Sequence, residues 1–309
     1  MTGRARPELR GALAAVAAGL LLAGLPLVVQ RDSVLNLLVV FFLSVTLAQS
    51  WNIIAGYAGQ VNLGHAAFFG LGALAARLLW TGGAPILLAL AAAAAAATAC
   101  GLVLGLAAFR LRGAYFAIGT LALGEILRIT VGNLLPEIST LPLGAIAGYR
   151  LVDRYYLALA AAALSVATVA WVAASRLGLG MQAVREDEEA AEASGVGTFR
   201  VKLAALALST ALAGLAGGLF AYYHISYYPQ HPFSPHWTFD ALLITFIGGV
   251  GTVHGPLLGA LFYVLVKEQL ALRWVDLHLL VFGLLFVLIV LLLPGGLVQA
   301  AGWLRRRRA

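Results

Sequence analysis

Long apolar runs, each about the length of a bilayer-crossing helix, alternate along the chain with short polar or charged breaks. A hydrocarbon core of roughly 30 Å requires about twenty apolar residues at about 1.5 Å each. On that measure the pattern predicts ten spans, near 11–29, 34–54, 62–80, 84–108, 114–135, 155–175, 203–223, 238–249, 256–271 and 277–293. The eighth and ninth are short enough to be broken or re-entrant segments packed inside protein. The expected fold class is all-α, one polytopic transmembrane bundle occupying residues 1–309 as a single domain. The first run follows Arg4, Arg6 and Arg10 and resembles a signal peptide. No small-x-small cleavage site precedes Gln30 and Arg31, so it reads as a retained span.

Composition agrees. The chain is 62% hydrophobic and 11% charged, with mean hydropathy +0.94, against about 25% charged residues in a typical soluble protein. The net charge of +7 sits at segment ends rather than on one face, which fits anionic lipid and not nucleic acid. Alternate ends of the spans divide the bases unequally. Arg4, Arg6, Arg10, Arg110, Arg112, Arg176, Arg185, Arg200, Lys202 and Arg305 to Arg308 fall on one side, thirteen in all. Arg31, Arg77, Arg150, Arg154, Lys267 and Arg273 fall on the other. The positive-inside rule then places both termini and the 176–202 loop in the cytoplasm. Cys100 is the only cysteine, so neither a disulfide framework nor a thiolate metal cluster is expected.

Charge is densest between Arg176 and Lys202, where Glu186, Asp187, Glu188, Glu189 and Glu192 cluster among four bases. Each such group costs roughly 2.5–3.5 kcal/mol in hydrocarbon on insertion scales, so the loop lies in water or on another protein. The run Glu-Asp-Glu-Glu-Ala-Ala-Glu-Ala is built of good helix formers with acids near its start, and Gly195 and Gly197 stop it. It reads as a short helix joined to the next span, or simply as a solvated charged loop.

Two glycine-rich breaks interrupt the apolar pattern. One contains Gly56, Gly59, Gln60, Asn62, Gly64 and His65; the other contains Gly248, Gly249, Gly251, Thr252 and His254. Unwound backbone inside a membrane needs polar partners. Gln60, Asn62 and His65 are the expected donors and acceptors of the first break, Thr252 and His254 those of the second. Each break fits a broken helix lining a path, and equally a tight turn between closely packed helices. Their similar design hints at an internal repeat. Glu125 and Arg128 lie three apart near the middle of the fifth span and are expected to form an intramembrane ion pair, structural or facing a pathway. Asp240 reads as interfacial. His224, His231 and His236 share a segment with five aromatic residues. Their spacing fits no helical face, so an aromatic belt is expected there and no metal site.

The string Gly56-Tyr-Ala-Gly-Gln-Val-Asn-Leu-Gly-His-Ala-Ala-Phe-Phe-Gly-Leu-Gly-Ala73 resembles the signature of the permease subunit of branched-chain amino acid ABC transporters, of the LivM type. Residues 110–128, the charged loop, Ala213-Gly-Leu-Ala-Gly217, residues 247–260 and Leu293-Pro-Gly-Gly-Leu297 resemble the family in the same order. The resemblance covers roughly residues 35–298. There are two departures. Asn62 stands where the family usually has Ser, and residues 139–148 lack its Thr-Gly-Gly-x-x-Gly element. The resemblance implies that Glu189, Ala190, Ala191 and Gly195 form a coupling segment docking on an ATPase. It further implies a second, related permease subunit forming a heterodimer, two ATP-binding cassette subunits and a soluble substrate-binding protein outside the inner membrane. ATP would be used by those partners; this chain is expected to bind no cofactor, and it has no P-loop of the required spacing. The alternatives are a urea or short-chain amide permease, an ion-coupled secondary transporter, and an intramembrane enzyme. No nucleophile or metal constellation for an enzyme can be assembled from the sequence.

Overall fold

The computed structural model describes residues 19, 21–29, 31–135, 139–140, 146, 148–273, 283–284, 287–288, 291 and 295–299. Residues 21–28 are helical and are labelled α1. Then follow α2 (Asp32–Trp51), a π-helical turn (Asn52–Tyr57), α3 (His65–Thr81), α4 (Ile86–Ala108) and α5 (Ala114–Leu134). After these come α6 (Leu151–Ala174), α7 (Arg176–Glu186), α8 (Glu188–Ala193), α9 (Thr198–Tyr223), α10 (His236–Gly248) and α11 (Gly255–Arg273). Two-residue strands, β1 (Ser139–Thr140) and β2 (Ser226–Tyr227), pair antiparallel with Ser139 opposite Tyr227. Both termini, most of the tenth expected span and most of residues 139–148 lie outside the described residues.

Among the described residues, five helices are long and apolar enough to cross a membrane: Asp32–Tyr57, Ile86–Ala108, Ala114–Leu134, Leu151–Ala174 and Thr198–Tyr223. Two others are shorter. α3 has 17 residues and α10 has 13, so α10 reaches only about 20 Å. α9 is the central element and packs on α2, α3, α4 and α6. Small residues let it come close: a Cβ on Gly217 would lie 1.8 Å from Phe69 O, and one on Gly214 would lie 2.5 Å from Ala97 Cβ. Dispersion between closely approaching backbones, rather than water exclusion, holds such helices together in lipid.

Two helix starts differ from the sequence expectation because of a buried charge. α9 begins at Thr198 rather than 203 because Lys202 is buried against Glu188 at 2.6 Å and lies 5.3 Å from the Phe109 ring centre. α6 begins at Leu151 rather than 155 because Arg154 is sandwiched between Tyr149 and Tyr222, 3.8 and 4.1 Å from their ring centres. Arg77, counted above as an outer-side charge, is 2% exposed. It donates to the carbonyls of Ala221, His224 and Ile225 and lies 5.4 Å from the Tyr227 ring centre. The aromatic segment after α9 is therefore not a lipid-facing belt throughout. Tyr222 and Tyr227 are buried and fold over two arginines.

Candidate functional site

The two glycine-rich breaks meet. α2 runs into the π turn, and the chain then doubles back without helix, so that α3 starts inside the bundle. Trp51 Nε1 donates to Asn62 O at 2.9 Å, and Ser50 Oγ shares a 2.7 Å hydrogen bond with His65 Nε2. Residues 62–65 thus lie level with residues 50–51 rather than beyond the end of α2. The freed N–H groups find side chains. Asn62 Oδ1 accepts from Gly64 N, Thr120 Oγ1 from Leu63 N and Thr238 Oγ1 from Ala66 N, at 2.9, 3.2 and 2.8 Å. Such satisfaction is the condition for irregular backbone at membrane depth. Gly64 is sterically required: a Cβ there would lie 2.0 Å from Thr120 O. Gln60 contributes little, with a 3.4 Å contact to Ala58 O.

The second break sits against the first. Gly251 N donates to Asn52 Oδ1 at 2.8 Å, Asn52 Nδ2 to Thr252 O at 3.0 Å, and Gln49 Nε2 to Val253 O at 2.8 Å. Thr252 Oγ1 accepts from Gly255 N and donates to Gly249 O, which starts α11. His254 is exposed, and its side chain makes no hydrogen bond among the described residues. The expected role of His254 in satisfying this break is thus taken by Gln49 of α2 and Asn52, the first residue of the π turn. Sequence reasoning missed both because they lie in a helix rather than in a break. Their signal was visible as Gln-Ser-x-Asn in an apolar run, where buried polar groups need partners. Gly249 and Gly251 take φ of +130° and +73°, which favour glycine. Gly248 packs on Gly255 so closely that a Cβ would lie 1.8 Å from its carbonyl oxygen. Gly296, from the closing Pro-Gly-Gly block, also approaches Gly249: a Cβ would lie 2.6 Å from Gly249 N.

The charged loop grips this junction. It folds as two helices, α7 and α8, because Asp187 caps α8, accepting from Glu189 N and Ala190 N at 2.9 and 3.0 Å. Ser175 caps α7 in the same way. Gly195 ends α8 with φ +85°, and Val196 N returns to Ala191 O at 3.0 Å. Ala191 faces inward, whereas Glu189, Ala190 and Gly195 are exposed. Glu189 meets Arg112 at 3.0 Å across open solvent, a pair of little energetic weight. From the last turn of α7, Arg185 Nη1 donates to Gly56 O. Its stem covers Gly59, where φ is +70° and a Cβ would lie 2.9 Å from Arg185 Cγ. A Cβ on Gly251 would lie 2.7 Å from the same guanidinium. One arginine thus touches both breaks.

Elsewhere, Arg128 donates to both Glu125 oxygens at 2.8 and 2.5 Å, midway along α5, with both side chains about a third exposed in the single chain. Asp240 is turned toward Lys267 of α11, at 3.4 Å. His224 lies over Phe220, ring centres 4.1 Å apart, and its Nδ1 donates to Phe220 O. Burial holds His224 below the ordinary histidine range, and it does the same for His231.

Apolar crossing helices, an inner junction of two broken segments and a short charged helix pair clamped onto it define a multi-pass membrane protein of the transport class. The chain belongs to the family described as branched-chain amino acid transport system, permease component, whose profile matches residues 33–290. Among curated relatives, the high-affinity branched-chain amino acid transport system permease protein LivM of Escherichia coli (strain K12) is 30% identical over 313 aligned positions, covering 88% of this chain and 71% of that protein. The protein of that name from Salmonella typhimurium is 29% identical over the same shares. A probable branched-chain amino acid transport permease protein LivM of Methanocaldococcus jannaschii is 29% identical over 131 positions, 38% of each chain. No solved structure matches. The blocks that carry the resemblance are those that converge here: Gly64 on Thr120, Gly217 on Phe69, Arg185 on Gly56, and Gly296 on Gly249.

Proposed function

We propose that this chain is the membrane-spanning subunit of an ATP-driven importer of branched-chain or other apolar amino acids in the bacterial inner membrane. Its termini and α7–α8 lie in the cytoplasm, and ATP is hydrolysed by two separate cassette subunits. A related permease subunit completes the membrane part, and a soluble binding protein delivers the substrate. The observation that carries the reading is the exposed α8 face tied through Arg185 to both breaks. Motion imposed on Glu189, Ala190 and Gly195 from outside reaches the bundle through the Glu188–Lys202 pair and the chain link to α9, and reaches both breaks through Arg185 of the adjoining α7. The breaks around Gly56 to His65 and Gly248 to His254 are then the parts of the path that rearrange. The Glu125–Arg128 pair supports assembly with a partner, since charges exposed at membrane depth need protein or water beside them.

Uptake of labelled leucine by the native host, with the gene deleted and restored, tests this. Gly195→Pro and Glu189→Arg are each expected to abolish uptake at normal membrane levels, because proline cannot adopt φ +85° and the charge reversal faces the docking partner. Uptake by the unaltered chain is expected to survive an ionophore while ATP is held constant. Normal uptake from both variants would remove the coupling role, and collapse with the ion gradient would point to a secondary transporter.

A further inference from the structure

A second feature lies at the other end of the bundle. α10 starts beyond the far end of α9 and runs back toward the breaks, and α11 returns from them, so Asp240 and Lys267 face each other across the α10–α11 seam away from the charged loop. They line a cavity of about 480 Å³, with Tyr263 beside them and Trp237, Leu243 and Leu270 as apolar wall. That is within the roughly 300–1,000 Å³ of small-molecule sites, and a largely apolar wall with a few convergent polar groups is their usual make-up. Lys267 Nζ lies 2.7 Å from Tyr263 Oη and 3.4 Å from Asp240 Oδ2, longer than the ~2.7–2.9 Å of a tight charge-assisted bond. The pair is loose, and an ammonium has three donors to place. The cavity is also joined to the first break. Trp237 stacks on Phe69 of α3 at 4.6 Å, and its neighbour Thr238 accepts from Ala66 N at the start of that helix.

We propose that this cavity is a binding site for a free zwitterionic amino acid with an apolar side chain. Asp240 receives the α-ammonium, Lys267 the α-carboxylate, and Trp237, Leu243 and Leu270 the side chain. The proposal rests on the transport reading above and adds a site to it. A neutral apolar solute could engage neither member of the pair, and a singly charged one could engage only one of them. A zwitterion matches both, with its charges held close together like theirs. The zwitterionic head of phosphatidylethanolamine shares this chemistry, so lipid composition is an arm of the test.

Cys100 is the sole cysteine, which makes a reporter simple. In a Cys100→Ala background, Leu243→Cys is introduced and the chain is reconstituted, with the other subunits of its own transport system, into vesicles with or without phosphatidylethanolamine. Labelling by a methanethiosulfonate is timed with leucine, isovalerate or isoamylamine present. Leucine is expected to slow labelling at position 243, while isovalerate and isoamylamine, each lacking one charge, do not. Leu88→Cys, on the exposed face of α4, should be unaffected. Asp240→Asn should raise the leucine concentration for half-protection about tenfold or more, the effect of losing a hydrogen bond to a charged group. Leu270→Cys serves as a second reporter should the first fail to accumulate. Absence of protection at both positions in vesicles that still take up leucine overturns this site and leaves the transport reading standing. Protection that follows phosphatidylethanolamine and not leucine overturns it in favour of a lipid headgroup. Vesicles of the unaltered system that take up no leucine remove the transport reading, and the site with it.

Discussion

Arg77 and His224 set the strength of the cap at the far end of α9. A guanidinium buried to 2% exposure, donating to three carbonyls that follow or end that helix, cannot be shortened without leaving those acceptors dry. Arg77→Ala is expected to lower stability by about 3 kcal/mol, several charge-assisted bonds to buried carbonyls being lost. Thermal unfolding in detergent measures this. His224 sits beside Arg77 and His231, whose charges add to the effect of burial in lowering its affinity for a proton, while its bond to Phe220 O opposes them. The folded state thus prefers neutral His224, whereas the unfolded chain takes up a proton below the ordinary value of 6.5. Its contribution is full above that pH and is lost as pH falls through it toward the lower folded value. Thermal midpoints measured between pH 7.5 and 5 should fall, and His224→Gln should flatten part of that slope, with the other buried histidines, His231 among them, keeping the remainder.

Among the elements, α7 is the one whose loss is expected to separate two activities. Its Arg185 reaches Gly56 O and covers Gly59 and Gly251, yet the helix itself is held by Ser175 and by buried Met181 and Val184. Arg185→Ala should therefore leave the chain folded and inserted. On the transport reading proposed above, leucine uptake is expected to fall about tenfold or more, the scale of one lost hydrogen bond to a charged group, while ATP hydrolysis by the assembled system continues. Arg185→Lys, which retains a donor, should recover part of the uptake. Equal loss of both activities would reduce Arg185 to a structural clamp. Helix formers, acids at the start and Gly195 at the end were legible, as was the acidic segment's link to α9. Asp187 as a cap dividing the loop into α7 and α8 was not, because an aspartate amid four glutamates carries no distinguishing pattern. Arg185 was legible only as one cation among thirteen, since its partner is a backbone carbonyl 129 residues earlier.

At the scale of the whole molecule, periodicity and hydropathy marked out the long helices well, because apolar length is a direct requirement of the bilayer. They did less well wherever a charge is buried in protein. Lys202 and Arg154 moved two helix starts ahead of the expected boundaries, and Arg77, counted among the outer bases, is buried, since a hydropathy scale cannot see Glu188, Tyr149 or a cluster of carbonyls. The junction of the two breaks was legible as two separate segments and not as one place. α5 keeps Tyr115, Ile118 and Ile126 exposed alongside the Glu125–Arg128 pair, an outer face that suits a neighbour in the membrane better than lipid alone. The distance in sequence between the two breaks also has a consequence in time. Asn52 finds Gly251 199 residues later. At a synthesis rate of ~5–20 residues per second, α2 leaves the ribosome roughly 10 to 40 s ahead of the backbone that satisfies it. For that interval Gln49 and Asn52 have only each other as side-chain partners, and a nascent chain stalled before Gly251 is expected to expose these two amides that the finished protein covers.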